Sequence, residues 1–170
     1  MIRFLTSGES HGKALTTIVD GFPSNLQISE GYINLQLKRR QFGYGRGLRM
    51  KIETDKTEIL SGVRFGKTLG SPISMLIKNN DWENWQTLMS VEAVNQKVQR
   101  ISIPRPGHAD LVGVSKYNFD DIRNSIERSS ARETAARVAA GSIAKKLLEK
   151  FGITIGSFVE SIGGIYPNNN

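Results

Sequence analysis

Two largely apolar, strand-like runs lie at either end of the first twenty residues, with a polar break between. Ile2 to Thr6 predicts a short strand, and the β-branched run Ala14 to Val19 predicts a second. Ser7-Gly8-Glu9-Ser10-His11-Gly12 is the turn between them, and Asp20-Gly21-Phe22-Pro23 ends the second strand. The period then changes. Ser29 is placed as a helix N-cap, and Ile33 and Leu37 lie four apart on one face of a helix running into Lys38-Arg39-Arg40. Gly43-Tyr44-Gly45-Arg46-Gly47 predicts a flexible basic loop, because glycines at this density are costly in a helix. From Met50 to Asn79, the groups Glu58-Ile59-Leu60, Val63-Arg64-Phe65 and Ile73 to Ile77 alternate between glycine turns. They predict antiparallel hairpins.

Residues 80–100 carry mixed signals, and Arg105-Pro106-Gly107-His108 is loop. Residues 110–128 are expected to hold a helix around Asp120 to Ile126. The clearest element is a helix over about 131–150. Ser130-Ala131-Arg132-Glu133 has the spacing of a capping box, and Ala135, Ala139, Ile143, Leu147 and Phe151 form an apolar stripe. Gly152 terminates it, and Ile153, Ile155 and Val159 suggest a further strand, followed by loop over 161–170.

Composition fits one folded domain: 170 residues, 38% hydrophobic and 23% charged. With no cysteine there are no disulfides, no thiolate nucleophile and no cysteine metal site. No apolar run has the ~20 residues of a membrane span, and the N-terminus lacks the pattern of a signal peptide. A soluble, cytoplasmic protein without a membrane partner is expected. The formal charge is +7, with basic zones in residues 1–50 and 101–150 around a nearly neutral middle. Arginine dominates these zones, as Arg39, Arg40, Arg46 and Arg49, and as Arg123, Arg128, Arg132 and Arg137. Its planar fork suits carboxylate and phosphate.

Gly62-Val63-Arg64-Phe65-Gly66-Lys67-Thr68 approaches a phosphate-binding loop, but has one residue too few between its glycines and no helix after it. A hairpin turn is the better reading. The two histidines, His11 and His108, both sit in glycine-flanked loops, off any apolar face. Their spacing gives no support for a metal site, and proton donation suits them best. Ser10 beside His11 is no nucleophile–base pair, since no nucleophile elbow is present. Arg128, Ser129 and Ser130, just before the 131–150 helix, form the best anion site. Free amides at a helix start carry partial positive charge, and arginines there are disfavoured unless an anion is near.

These motifs together resemble the chorismate synthase family. Gly8-Glu9-Ser10-His11-Gly12 with Asp20-Gly21-Phe22-Pro23 is similar to its first signature, and Arg105-Pro106-Gly107-His108-Ala109-Asp110 to its second histidine segment. Arg128-Ser129-Ser130-Ala131-Arg132-Glu133-Thr134-Ala135 with Val138-Ala139-Ala140-Gly141 is similar to its helix signature. The resemblance covers residues 1–170 as an N-terminal portion. The family's second half, with further flavin-binding segments, has no counterpart here, so this chain alone is expected to be inactive.

The resemblance implies an α+β fold, with helices sandwiched between antiparallel β-sheets, assembled as a homotetramer. It implies a lyase of the shikimate pathway, which leads to aromatic amino acids. That enzyme eliminates phosphate from 5-enolpyruvylshikimate 3-phosphate to give chorismate, with reduced FMN. By the same resemblance, His11 protonates the departing phosphate and His108 lies at the flavin. Ser10, Arg40, Arg46 and Arg132 hold substrate anions, and Arg128, Ser129 and Ser130 lie at FMN. In part of the family the equivalents of Arg40 and Arg46 are instead assigned to a nicotinamide dinucleotide, which would make NADPH the flavin reductant. The alternative from another class is a basic nucleic-acid-binding module using Gly45-Arg46-Gly47 and the arginine-bearing helix. Low aromatic content, 8%, speaks against nucleic acid as a partner.

Overall fold

Four extended segments build one sheet, with inward and outward positions alternating along β2 and β6. The computed structural model describes residues 1–43 and 52–167. The strands are β1 (Arg3–Ser7), β2 (Ala14–Asp20), β3 (Thr57–Ile59), β4 (Val63–Arg64), β5 (Lys67–Thr68) and β6 (Ile73–Lys78). β1, β2, β6 and β3 form, in that order, an antiparallel four-stranded sheet, and β4 and β5 a separate hairpin. Register places Leu15 opposite Ile77 and Ile77 opposite Thr57, Thr17 opposite Met75 and Met75 opposite Ile59, and Val19 opposite Ile73. These rows line up because side chains two apart share a face. The β4–β5 loop is Phe65-Gly66, with φ of +50° and +73°, the geometry of a two-residue hairpin turn. The segment is thus a hairpin, as the glycine spacing predicted.

Two helices cover the row-bearing face. In α1 (Glu30–Gln41), Ser29 Oγ accepts the Tyr32 N–H at 3.2 Å, and Ile33 and Leu37 are buried. Lys38, Arg39 and Arg40 in its last turn complement the helix dipole. The long helix begins with a 3₁₀ turn (Ala131–Glu133) and continues as an α-helix over Thr134–Glu149. Its buried face is Ala135, Ala136, Ala139, Ala140, Ser142 and Ile143. Such small side chains let this helix approach both α1 and β2 closely. Tyr32 Oη donates to Glu149 Oε1 at 2.5 Å across the two helices. Burial and then the Glu149 carboxylate push the phenol up to about 12.

Before the long helix lie α2 (Asp110–Tyr117) and α3 (Arg123–Arg128), so the long helix is α4 in chain order. α2 and α3 pack together at Gly113, where a Cβ would come within 2.7 Å of the Ser125 Cβ. No helix among the described residues is long and apolar enough to cross a membrane.

Several expectations change. Within 110–128, where the pattern predicts a single helix around 120–126, there are two short ones: α3 at Arg123–Arg128, and α2 before it, which the pattern did not separate. α2 exposes Leu111 and Val112, so no apolar stripe marks it. Ile153, Ile155 and Val159 form no strand. They are exposed, and the local pairing is a single bridge between Ile162 and Ile165. A strand needs a partner edge, and none lies beside them among the described residues.

Phe151 is 72% exposed, because α4 ends before it. The Gly152 and Ile153 amides bond back to Glu149 and Leu148, a Schellman closure with Gly152 at φ +72°. The capping box is half made. Ser130 Oγ accepts the Arg132 N–H at 3.3 Å, while Glu133 turns away to Thr6 and Arg137. The predicted basic loop from Tyr44 to Gly47, with Arg46, lies outside the described residues, as does Arg49.

Candidate functional site: two carboxylate-held imidazoles beside a cavity

The turn between β1 and β2 is pinned from behind. Gly8 has φ +105°, and a Cβ there would strike the Ala14 carbonyl oxygen and lie 2.9 Å from Leu15 Cα. Buried Asn79 holds the other end, donating from Nδ2 to the Glu9 and Gly12 carbonyls at 3.1 and 2.7 Å. The turn therefore delivers Ser10 and His11 to α3. The Ser10 N–H donates to the Glu127 carbonyl at 3.0 Å. The His11 N–H donates to Glu127 Oε2 at 2.8 Å, and His11 Nδ1 lies 2.9 Å from both carboxylate oxygens. The ring stacks on Trp85 with centroids 3.7 Å apart. Trp85 is itself fixed by its Nε1–H donating to Asp81 at 2.9 Å, and the Arg123 guanidinium lies 5.7 Å from its ring.

The second imidazole has a parallel support. Asp110, the first residue of α2, is fully buried. Its carboxylate accepts from the Arg105 N–H at 3.0 Å and from Nε and Nη2 at 2.8 and 3.0 Å. His108 Nδ1 is 2.7 Å away. The Arg105 hydrogen bonds hold the Asp110 carboxyl well below the usual range, against burial, with His108 adding to them. The same carboxylate raises the Arg105 guanidinium above its ordinary value, against desolvation.

α3 joins the two arrangements. It carries Glu127, which holds His11, and Ser125, whose hydroxyl donates to the Ala109 carbonyl beside His108 at 3.1 Å. Between α2, α3 and residues 88–91 opens a cavity of about 760 Å³. Met89, Val112 and Phe119 give it apolar wall, and its charged lining is balanced, Lys116, Arg123 and Arg128 against Glu9, Asp121 and Glu127. Arg123 Nε is buried without a hydrogen-bond partner. Ser129 also lines the cavity.

The remaining arginines have a different environment. Arg132 is buried and its donors are committed: Nε to Asn79 Oδ1 at 2.8 Å, Nη1 to Asp55, and Nη2 to the Lys78 carbonyl at 3.2 Å, with Glu53 at 3.5 Å. Arg40 joins the same Asp55 at 3.1 Å and also donates to Thr134 and the Ala131 carbonyl. Arg128 donates to Thr6, and the Ser129 hydroxyl to the Ser125 carbonyl. The sequence argument that arginines near the 131–150 helix start require a foreign anion is thus corrected at Arg132: the chain's own Asp55 and Glu53 answer its charge. Asn79 connects this cluster to the His11 turn, one carboxamide serving both.

The structure brings His11, His108, Arg128 and Ser129 around α3, with Ser10 held there through its backbone. Arg40 and Arg132 gather behind, at Asp55, and Ser130 caps the 3₁₀ turn. Sequence reasoning missed Glu127, Asp110, Trp85, Asp55 and Asn79 as members. The available signal was weak. Asp110 stands two residues after His108, but Glu127 meets His11 across 116 residues of chain.

Two imidazoles with Nδ1 atoms at buried carboxylates, beside a cavity walled by apolar and charged side chains, mark the candidate site of this α+β protein. Comparison with known proteins narrows this. The family model for chorismate synthase matches residues 2–170. Chorismate synthase of Chlorobaculum tepidum is 63% identical over 166 residues, covering 97% of this chain and 42% of that protein. Chorismate synthase of Aquifex aeolicus is 64% identical over 163 residues, covering 95% and 41%. A crystal structure of chorismate synthase superposes with a TM-score of 0.74 at 51% identity, covering 98% of this chain and 40% of the other. The chain belongs to the chorismate synthase family. It spans about 40% of the length of the relatives it matches.

Proposed function

We propose that this chain carries the two-histidine half of an enzyme that eliminates phosphate from 5-enolpyruvylshikimate 3-phosphate to form chorismate, a carbon–oxygen lyase requiring reduced FMN. The observation that carries the reading is the pair of imidazoles held by Glu127 and Asp110, residues of the two helices that border one cavity, with Glu127 and Ala109 in its wall. Each has Nδ1 at a carboxylate; His11 keeps Nε2 for chemistry, while His108 Nε2 lies 3.3 Å from Arg105 Nη2. His11 delivers a proton to the departing phosphate, general-acid work worth typically ~10²–10⁴-fold.

The cavity suits the cofactor. Its volume lies in the range of small-molecule sites, Met89, Val112 and Phe119 give it apolar wall, and Arg123 Nε is a buried donor lacking an acceptor. When bound, reduced FMN supplies transient electron density that eases a phosphate loss whose geometry disfavours concerted elimination. Arg128, Ser129 and Ser130 would hold it, and His108, oriented by Asp110, would face it. Ser10, Arg40 and Arg46 are assigned to the substrate's anionic groups. Arg132 contributes by fixing Asp55 and Asn79 behind them, and reaches substrate only if that network opens. NADPH as flavin reductant, a homotetramer and a cytoplasmic site complete the proposal. It is tested by anaerobic phosphate release from the substrate by the complete enzyme. His11→Ala is expected to lose at least ~10²-fold in turnover; wild-type rates in that variant would overturn the assignment.

A further inference from the structure

We propose that Glu127 is a positioning residue that fixes which nitrogen of His11 meets the substrate. The proposal rests on the reading of His11 as proton donor and adds a residue to it. Two N–H groups converge on one carboxylate: the His11 backbone N–H on Oε2 at 2.8 Å and His11 Nδ1 at 2.9 Å from both oxygens. Glu127 is 2% exposed, so water does not substitute for it. An ionised carboxylate only accepts hydrogen bonds. Nδ1 therefore carries a proton, and in the neutral ring Nε2 is the nitrogen without one. In the imidazolium, which carries a proton on each nitrogen, the proton given to the leaving phosphate departs from Nε2, leaving the neutral ring with Nδ1–H on Glu127. Trp85, 3.7 Å away and stacked on the ring, removes the remaining freedom to rotate. The Ser10 N–H on the Glu127 carbonyl fixes the turn to the same residue.

The amide variant separates this from a merely structural role. In Glu127→Gln one oxygen must serve both N–H groups, and the new NH₂ asks for an acceptor. His11 Nδ1 is the acceptor at hand, which moves the neutral ring's proton to Nε2. The carboxylate of Glu127→Asp keeps an acceptor-only partner.

The test is ¹⁵N NMR of the imidazole in the full-length protein, with the His11 signals assigned as those lost in His11→Gln, alongside phosphate-release kinetics. The expected wild-type result is the Nδ1–H tautomer in the neutral ring. Glu127→Gln should shift the population to Nε2–H and lower kcat by about 10–100-fold with KM little changed. Glu127→Asp should restore the Nδ1–H tautomer and part of kcat. An Nε2–H tautomer in the wild type overturns the proposal even if no variant folds. Unchanged kcat in folded Glu127→Gln also overturns it. Should His11→Gln turn over substrate normally while the tautomer result holds, the proton-donor reading fails and the Glu127–His11 geometry stands.

Discussion

Asp55 carries more of this structure than its position in the sequence suggests. Its side chain has no solvent exposure, and two guanidiniums, Arg40 and Arg132, meet on it. With Glu53 they form a cluster of two positive and two negative groups. At 3.1 Å the Arg40 pair alone is worth about 5 kcal/mol in Coulomb energy at an effective dielectric of 20. Most of that offsets the cost of removing the ions from water. Asp55→Asn keeps the shape and removes one charge. It leaves the buried Arg132 with Glu53 at 3.5 Å as its remaining anion among the described residues. Breaking a buried pair from one side costs about 3–5 kcal/mol, which we expect as a lowered urea midpoint at unchanged m. Because the damage is an uncompensated charge, Arg132→Met added to Asp55→Asn should cost less than Arg132→Met alone by at least ~1 kcal/mol. A loss under about 1 kcal/mol for Asp55→Asn, or additive behaviour in the double variant, would refute the account.

Asp110→Asn should destabilise by about 1.5–3 kcal/mol near neutral pH, since a buried carboxylate accepting charged hydrogen bonds loses its charge. The folded carboxyl is depressed, so this contribution is complete above the ordinary carboxylate value of about 3.9 and fades as pH falls below it. Urea unfolding at a series of pH values checks it, and a gap between wild type and variant that widens in acid contradicts the sign. Gly8→Ala places a Cβ against the backbone of Ala14 and Leu15 at φ +105°, and should cost about 2–4 kcal/mol. It should also weaken the His11–Glu127 contact, visible in the His11 NMR signals; wild-type stability in this variant excludes the close approach.

Local elements were legible where one physical signal dominated. Ser29 capping α1, the Ile33 and Leu37 stripe, the alternating strands and the alanine face of the long helix follow from short-range patterns that burial then satisfied. α2 was not legible, because its apolar residues face outward around Gly113. The strand expected at 153–159 fails for the complementary reason: its pattern was right for a strand but no edge receives it.

The sequence by itself determined which residues bear chemistry: two loop histidines, a surplus of arginine, and glycines where the backbone must turn tightly. It could not determine what each charged group faces. Arg132 reads as a ligand for a foreign anion until folding sets Asp55 and Glu53 against it, and His11 reads as a solitary imidazole until Glu127 arrives from 116 residues away. Helix and strand signals depend on neighbours a few residues off. Charge pairing depends on through-space distance, and only the packed chain sets that.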